Sequence, residues 1–270
     1  MIKPGLVSIT LQRLTVEQVV EQTRASDLIG IEWSADSRVP HGNIEKATYA
    51  ARITHNLDLE VAAYGSYYRV GTSEDEGLSF VSVLETAVAL EAGIVRIWAG
   101  RKNSEDADEV YWKRIVDESR RIAELAATRN IRLVYEFHEG TLTNTYESCK
   151  RLLEAVNCPN ILTYWQPLHG AGAEKNCKGL ELIMPWIAGI HIFHWWPTHG
   201  TRHMLDFGQR DWMQYFDKLK EGLSEDIYGL LEFSKDDSVE NFKADAVTLK
   251  NLIKSGNTRD KVRTPNVLLV

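Results

Sequence analysis

Apolar runs of four to eight residues alternate along this chain with longer stretches of helical period, from one end to the other. The runs predict eight buried strands: Leu6 to Thr10, Ile29 to Trp33, Leu59 to Tyr64, Ile94 to Trp98, Ile131 to Glu136, Ile161 to Gln166, Ile187 to Phe193 and Ile227 to Phe233. Helices are predicted between them. One covers Val16 to Ala25, with Thr15 and Gln18 in the spacing of a capping box. Another covers Ala107 to Arg129, with Val110, Ile115, Ile122 and Leu125 as its apolar stripe. Eight strands that each precede a helix, in a chain of this length, match an α/β fold of the (β/α)8 TIM-barrel type in number and size. An open doubly wound sheet is the rival, but it normally carries a glycine-rich phosphate turn after its first strand, and SITLQRL contains no glycine.

Composition narrows the partners. The 270 residues, 44% of them hydrophobic, are enough for one large core, so a single domain over 1–270 is expected, with 256–270 as an appended segment. A formal charge of -7, from 31 basic against 38 acidic residues, provides no footprint for nucleic acid or an anionic membrane surface. No window approaches the length of a membrane-spanning apolar helix, and the start MIKPGLVSITLQRL lacks the pattern of an export signal. Cys149, Cys158 and Cys177 are odd in number and lack metal-type spacing, which fits reduced thiols and a cytoplasmic protein. Barrels of this kind often form homo-oligomers, although no interface is legible in the sequence.

Four of the predicted strands end in the same way. RLVYEFH, ILTYWQPLH, IAGIHIFH and IYGLLEF carry Glu136, Gln166, His191 and Glu232 at or near their far ends. Polar side chains are costly to bury, and in a barrel the C-terminal ends of the strands face the active site. Two carboxylates, an imidazole and an amide carbonyl form an oxygen-rich donor set that suits one divalent metal ion, Mn²⁺ or Mg²⁺ first and Co²⁺ or Zn²⁺ next. Alternation along the strand puts His138 on the same side as Glu136. Aromatic residues are concentrated near the same ends, among them Tyr67 and Trp165, and flat rings beside polar groups suit a carbohydrate or cyclic polyol. Trp33 and Trp98 are expected in the rim of the core, and Arg101 and Lys102 in solvent. The histidines of HIFHWWPTHG, with His203 following, are too irregularly spaced for a second metal and read as a loop over the site.

GIEWSADSRVPHG, LVYEFHEGTLTNT, PNILTYWQPLHG, IAGIHIFH and LLEF together resemble the xylose-isomerase-like TIM-barrel superfamily, which includes sugar isomerases and epimerases, 3-dehydroshikimate dehydratases and an endonuclease branch. The resemblance implies metal ligands at Glu136, Gln166, His191 and Glu232, with Gln166 standing where the family pattern has an aspartate. A neutral amide there removes one negative charge. His169, three residues later, is available as a further ligand or substrate contact. In the epimerases of this superfamily the two glutamates shuttle a proton, which implies a catalytic pair of Glu136 and Glu232. In the dehydratases the histidine equivalent to His138 is the base, and an arginine like Arg96 contacts substrate oxygens. The substrate lysine of those dehydratases falls on Phe193, and the epimerase arginine falls on Pro197. The endonuclease branch is disfavoured, because its early-strand histidines and basic face are absent.

The leading expectation is a metal-dependent isomerase or epimerase of a keto-sugar or related hydroxy-carbonyl compound, acting through a metal-stabilised enediolate. The alternative is a lyase that dehydrates a cyclic keto-acid or keto-sugar with His138 as base. A third reading, from another class, is a catalytically silent carbohydrate-binding barrel in which Gln166 marks loss of the metal.

Overall fold

In the computed structural model, which describes residues 1–258, eight parallel strands close into a barrel. They are β1 (Ile2–Val7), β2 (Gly30–Ser34), β3 (Glu60–Arg69), β4 (Ile94–Trp98), β5 (Arg132–Tyr135), β6 (Ile161–Trp165), β7 (Ile187–Ile192) and β10 (Ile227–Leu231). β1 closes the ring by pairing with both β10 and β2. A two-residue antiparallel ribbon, β8 (His194–Trp195) with β9 (Arg202–His203), rises from the top of β7. The helices α1 (Val16–Ala25), α2 (Ile44–Asn56), α3 (Phe80–Ala89), α4 (Glu109–Ala127), α5 (Tyr146–Val156), α6 (Ala173–Ile183), α7 (Gln209–Gly222) and α8 (Val239–Thr258) follow the barrel strands in turn. The expected (β/α)8 TIM barrel is therefore the observed fold. Residues 259–270, most of the segment expected as an appended tail, lie outside the described residues, and 256–258 complete the last turn of α8.

Two boundaries moved, for identifiable reasons. The first strand occupies Ile2–Val7 rather than Leu6 to Thr10, and Ser8–Leu11 turns into a short 3-10 helix. There the Ser8 hydroxyl accepts from the Ser34 N–H at 2.9 Å, while Thr10 Oγ1 donates to the Leu231 carbonyl and accepts from the Phe233 N–H. These polar side chains tie the rim together instead of extending β1. The fourth helix is shorter than expected, because Asp108 caps it by accepting from the Tyr111 N–H. Its buried stripe is Trp112, Ile115, Ser119, Ile122 and Ala126, whereas Val110 is 79% exposed and lies off that face. The capping box of α1 is present as expected, with both reciprocal Thr15–Gln18 bonds formed.

The barrel interior is filled by Val7, Ala62, Ala63, Ile94, Val134, Tyr164, Ala188 and Leu230. Tyr164 fits only because β7 carries Gly189 opposite it, where a Cβ would come within 2.5 Å of the ring. The Tyr164 ring then lies 5.0 Å from that of His191, edge to face, forming the floor beneath the mouth. The larger core lies between strands and helices, and none of the helices among the described residues is long and apolar enough to cross a membrane.

Tyr146, at the start of α5, holds the loop after β6 in place. Its hydroxyl shares its one proton between the Gln166 carbonyl at 3.1 Å and Asn176 Oδ1 at 2.8 Å, and it accepts from the Leu168 N–H. Its ring is seated against Gly179 of α6. Tyr146→Phe leaves those buried groups short of one partner, so chemical denaturation should show a loss of about 1–3 kcal/mol.

Candidate metal centre at the barrel mouth

Backbone pairing brings the four strand-end residues to the same end of the barrel. His191 lies in β7 opposite Leu230 of β10, and Glu232 follows β10 directly. Glu136 and Gln166 follow the last residues of β5 and β6. The N–H of Glu136 donates to the Ile97 carbonyl at 3.1 Å, and that of Glu232 to the Ile192 carbonyl at 3.0 Å, so each backbone is pinned to the neighbouring strand.

Glu136, His191 and Glu232 each offer one ligand atom, and these three atoms lie within 4.8 Å of one another. His191 Nδ1 is 3.5 Å from Glu136 Oε1 and 3.4 Å from Glu232 Oε2. The other ring nitrogen, Nε2, is 3.4 Å from Glu32 Oε2. A carboxylate behind an imidazole in this way fixes which nitrogen faces the site. The Gln166 amide nitrogen donates to the Phe137 carbonyl at 2.9 Å, and its Oε1 is buried without a partner. That oxygen is therefore the side chain's free lone-pair atom.

A buried ion network supports this set. Arg96 lies between two carboxylates: Nε donates to Glu32 Oε1 at 2.6 Å, and Nη1 donates to Glu136 Oε2. Trp98 Nε1 donates to the same Glu136 oxygen, leaving Oε1 turned toward His191. Burial by itself would raise the pKa values of Glu32 and Glu136, but the Arg96 charge and then His191 hold both below the ordinary carboxylate range. The reverse holds for His191: burial alone would lower it, yet Glu232 and Glu32, with Glu136, keep it well above the usual imidazole value. Three carboxylates against one guanidinium and a protonated imidazole leave one negative charge, and two once a cation displaces the imidazole proton. The charge balance, the hard donors and the unpartnered Gln166 Oε1 all fit one divalent cation.

The other expected site residues separate into two groups. His138 stands exposed at the mouth, its ring 4.6 Å from Trp98. Tyr67, held at a positive φ of 53°, sets its ring edge-on to Trp98 at 5.4 Å and under the Arg96 guanidinium. His169 stacks on Trp195 of the ribbon at 5.2 Å, and Phe193 lies against both rings. Arg96 is spent on Glu32 and Glu136, with only Nη2 left without a partner. Trp165 is not brought to the mouth. It follows the inward-facing Tyr164, so alternation turns it outward, where it is fully buried against Trp212 and Tyr215 of α7. Trp33 is core, as expected, whereas Trp98, expected there too, is half-buried at the mouth and bonded to Glu136. Arg101 pairs with Glu76, and Lys102 lies over Tyr111. Among the described residues the histidine-rich loop forms no metal-type cluster.

Glu32 is the residue that the sequence reading missed. The signal was present, since a carboxylate inside the apolar strand GIEWS is as costly to bury as one at a strand end. It was hidden by position, because Glu32 lies in mid-strand and faces inward one layer below the mouth. Gly65 is the matching omission: a Cβ there would lie 2.7 Å from both Arg96 Nη2 and Glu32 Oε1.

Two outcomes are expected. Gly65→Ala should displace the Arg96–Glu32 pair and lower stability by about 2–4 kcal/mol in denaturant titrations, since both atoms it meets belong to buried, paired charges. Metal affinity should depend on pH through His191, whose raised pKa keeps a proton on the ring that the cation must displace. Below that pKa, Mn²⁺ affinity measured by titration should therefore rise about tenfold per pH unit and fall equally as pH is lowered. An affinity flat across the neutral range would refute the assignment of Nδ1 as a ligand.

The fold agrees with comparisons to known proteins. The family model described as "Xylose isomerase-like TIM barrel" matches residues 20–252. A 3-dehydroshikimate dehydratase from Bacillus anthracis is 28% identical over 139 residues, covering 50% of this chain and 49% of that protein, so the chain spans about half the length of this curated relative. Among solved structures, a probable 3-DHS dehydratase from Bacillus anthracis superposes with a TM-score of 0.75 at 19% identity, covering 93% of this chain and 99% of the other. An L-ribulose 3-epimerase superposes with a TM-score of 0.73 at 16% identity, covering 100% of both chains. A family model that spans most of the barrel, on a chain whose strand ends converge as described, makes this protein a member of the xylose isomerase-like TIM-barrel family.

Proposed function

We propose that Glu136, Gln166, His191 and Glu232 hold one divalent cation, Mn²⁺ or Mg²⁺, and that the mouth enolises a hydroxy-carbonyl compound, with loss of water as the net reaction. The substrate class is a cyclic keto-acid or a keto-sugar. A bound dication supplies stabilisation of the negative charge that develops on the carbonyl oxygen.

The observation that carries this reading is the asymmetry of the two glutamates. Glu136 Oε2 accepts from both Arg96 and Trp98, and its pKa is depressed, so Glu136 is a poor proton acceptor and a good anionic ligand. Glu232 accepts no such side-chain hydrogen bonds among the described contacts; its ion-pair neighbour is His191. Proton abstraction on the Glu136 side then falls to His138. Its Nδ1 donates to the Glu139 carbonyl, which leaves the Nε2 lone pair free to take a proton from the carbon beside the carbonyl. The departing hydroxyl then leaves as water with the proton that His138 has taken from carbon, so the step balances while Glu232 stays an anionic ligand. The partial match to a dehydratase supports the same order of preference.

Epimerisation is the second reading, favoured by the approach of both Glu136 and Glu232 to His191 Nδ1. The two reactions separate on one variant. With Mn²⁺-loaded protein, dehydration of a dehydroshikimate is followed by the ultraviolet absorbance of the aromatic product, and ketose epimerisation by deuterium uptake from D₂O. His138→Asn should lower kcat for dehydration about 10²–10⁴-fold with little change in KM. Turnover within a few-fold of wild type would move the chemistry to the glutamates and select epimerisation.

A further inference from the structure

Arg69 differs from the other cations around the mouth. Arg96 is locked between Glu32 and Glu136, Arg101 pairs with Glu76, and Arg202 of β9 pairs with Asp237 at 2.7 Å. Arg69 has no carboxylate partner among the described residues. Its one side-chain hydrogen bond runs from Nη1 to the Gly100 carbonyl at 3.1 Å. It is half-buried at the end of β3, in register with Trp98 of β4, and its guanidinium carbon lies over the indole at 3.9 Å from the ring centroid. The same indole donates to Glu136 and lies against His138. The cation is thus held one indole away from a metal-ligand carboxylate. Burial and then the neighbouring Arg101 charge disfavour it by more than the charges of Glu76 and Glu136 favour it, a net cost that an anion would relieve.

We infer that Arg69 is the subsite for an anionic oxygen group of the substrate, a carboxylate or a phosphate, while the hydroxy-carbonyl end of the same molecule meets the metal centre. A planar guanidinium fixed by stacking presents its remaining N–H groups for a paired contact with such a group. This rests on the reading of the mouth as a hydroxy-carbonyl site and narrows it to acidic substrates.

The test uses two matched pairs of probes on the Mn²⁺-loaded full-length protein, measured by calorimetry. One pair is 3,4-dihydroxybenzoate and catechol, which differ by the carboxylate; the other is a ketose phosphate and its parent ketose. Wild type should prefer the charged member of at least one pair by about ten- to a hundredfold, the range of a charge-assisted hydrogen-bonded contact. The pair that discriminates identifies carboxylate or phosphate. Arg69→Gln should abolish the preference and leave affinity for the neutral probe unchanged, which also shows that the variant is folded. Arg69→Lys, which keeps the charge, should retain part of the preference. Equal affinity within both pairs in wild type, or a preference intact in Arg69→Gln, would overturn the inference alone. Binding of neither member of either pair would remove the hydroxy-carbonyl reading and the inference with it.

Discussion

The mouth of this barrel depends on one buried ion pair system, Glu32–Arg96–Glu136. Charges this deep are tolerated only when each is matched and hydrogen-bonded, because the desolvation cost of an uncompensated ion is several kcal/mol. Arg96 meets that condition by bridging two strands at once, β2 and β5, from its own place on β4. Glu32 in turn stands behind His191, and Glu136 beside it. The orientation of the imidazole, the ionisation of Glu136 and the packing of four strands are therefore set by the same few atoms. The small size of Gly65 is what gives them room.

Trp98 extends this control to the surface. Its N–H fixes one oxygen of Glu136, while its ring surfaces are occupied by Tyr67, His138 and Arg69. Indole combines a polar edge with an apolar body, so it joins the ionic layer below to the solvent-facing groups above. The opposite wall is assembled differently. His169, Phe193 and Trp195 stack on one another there, and the ribbon β8–β9 brings Arg202 over Trp195 and Phe233. One wall is anchored by charge and the other by ring packing.

Much of the fold was legible because period and length carry most of the information about a barrel. The eight strands and their order followed from apolar runs, and the start of α1 from Thr15 and Gln18. The errors lie where side-chain hydrogen bonds override pattern: SITL reads as strand, but Ser8 and Thr10 bond across the rim. Likewise Val110 has the right residue type for a stripe and the wrong angular position. At the site, four polar strand ends identified the mouth, and Glu136, His191 and Glu232 do converge. Whether a residue faces the barrel or the helices is decided by alternation from a known neighbour, which is why Trp165 was misplaced and Trp98 undervalued. Glu32 and Gly65 were invisible because their importance comes from residues far apart in sequence that meet only in the closed barrel.

Gln166 shows how the composition of one layer constrains another. With Glu32 already counted in the cluster, an acidic side chain at this position would leave the loaded centre with surplus negative charge, and it would also set a carboxylate against the Phe137 carbonyl that the amide now satisfies. The amide removes both conflicts at the expense of a weaker grip on the ion. The proposed centre, built this way, would exchange its cation with the surroundings more readily than an all-carboxylate one. Its occupancy, and with it the working fraction of the protein, would then be tied to the free metal concentration around it.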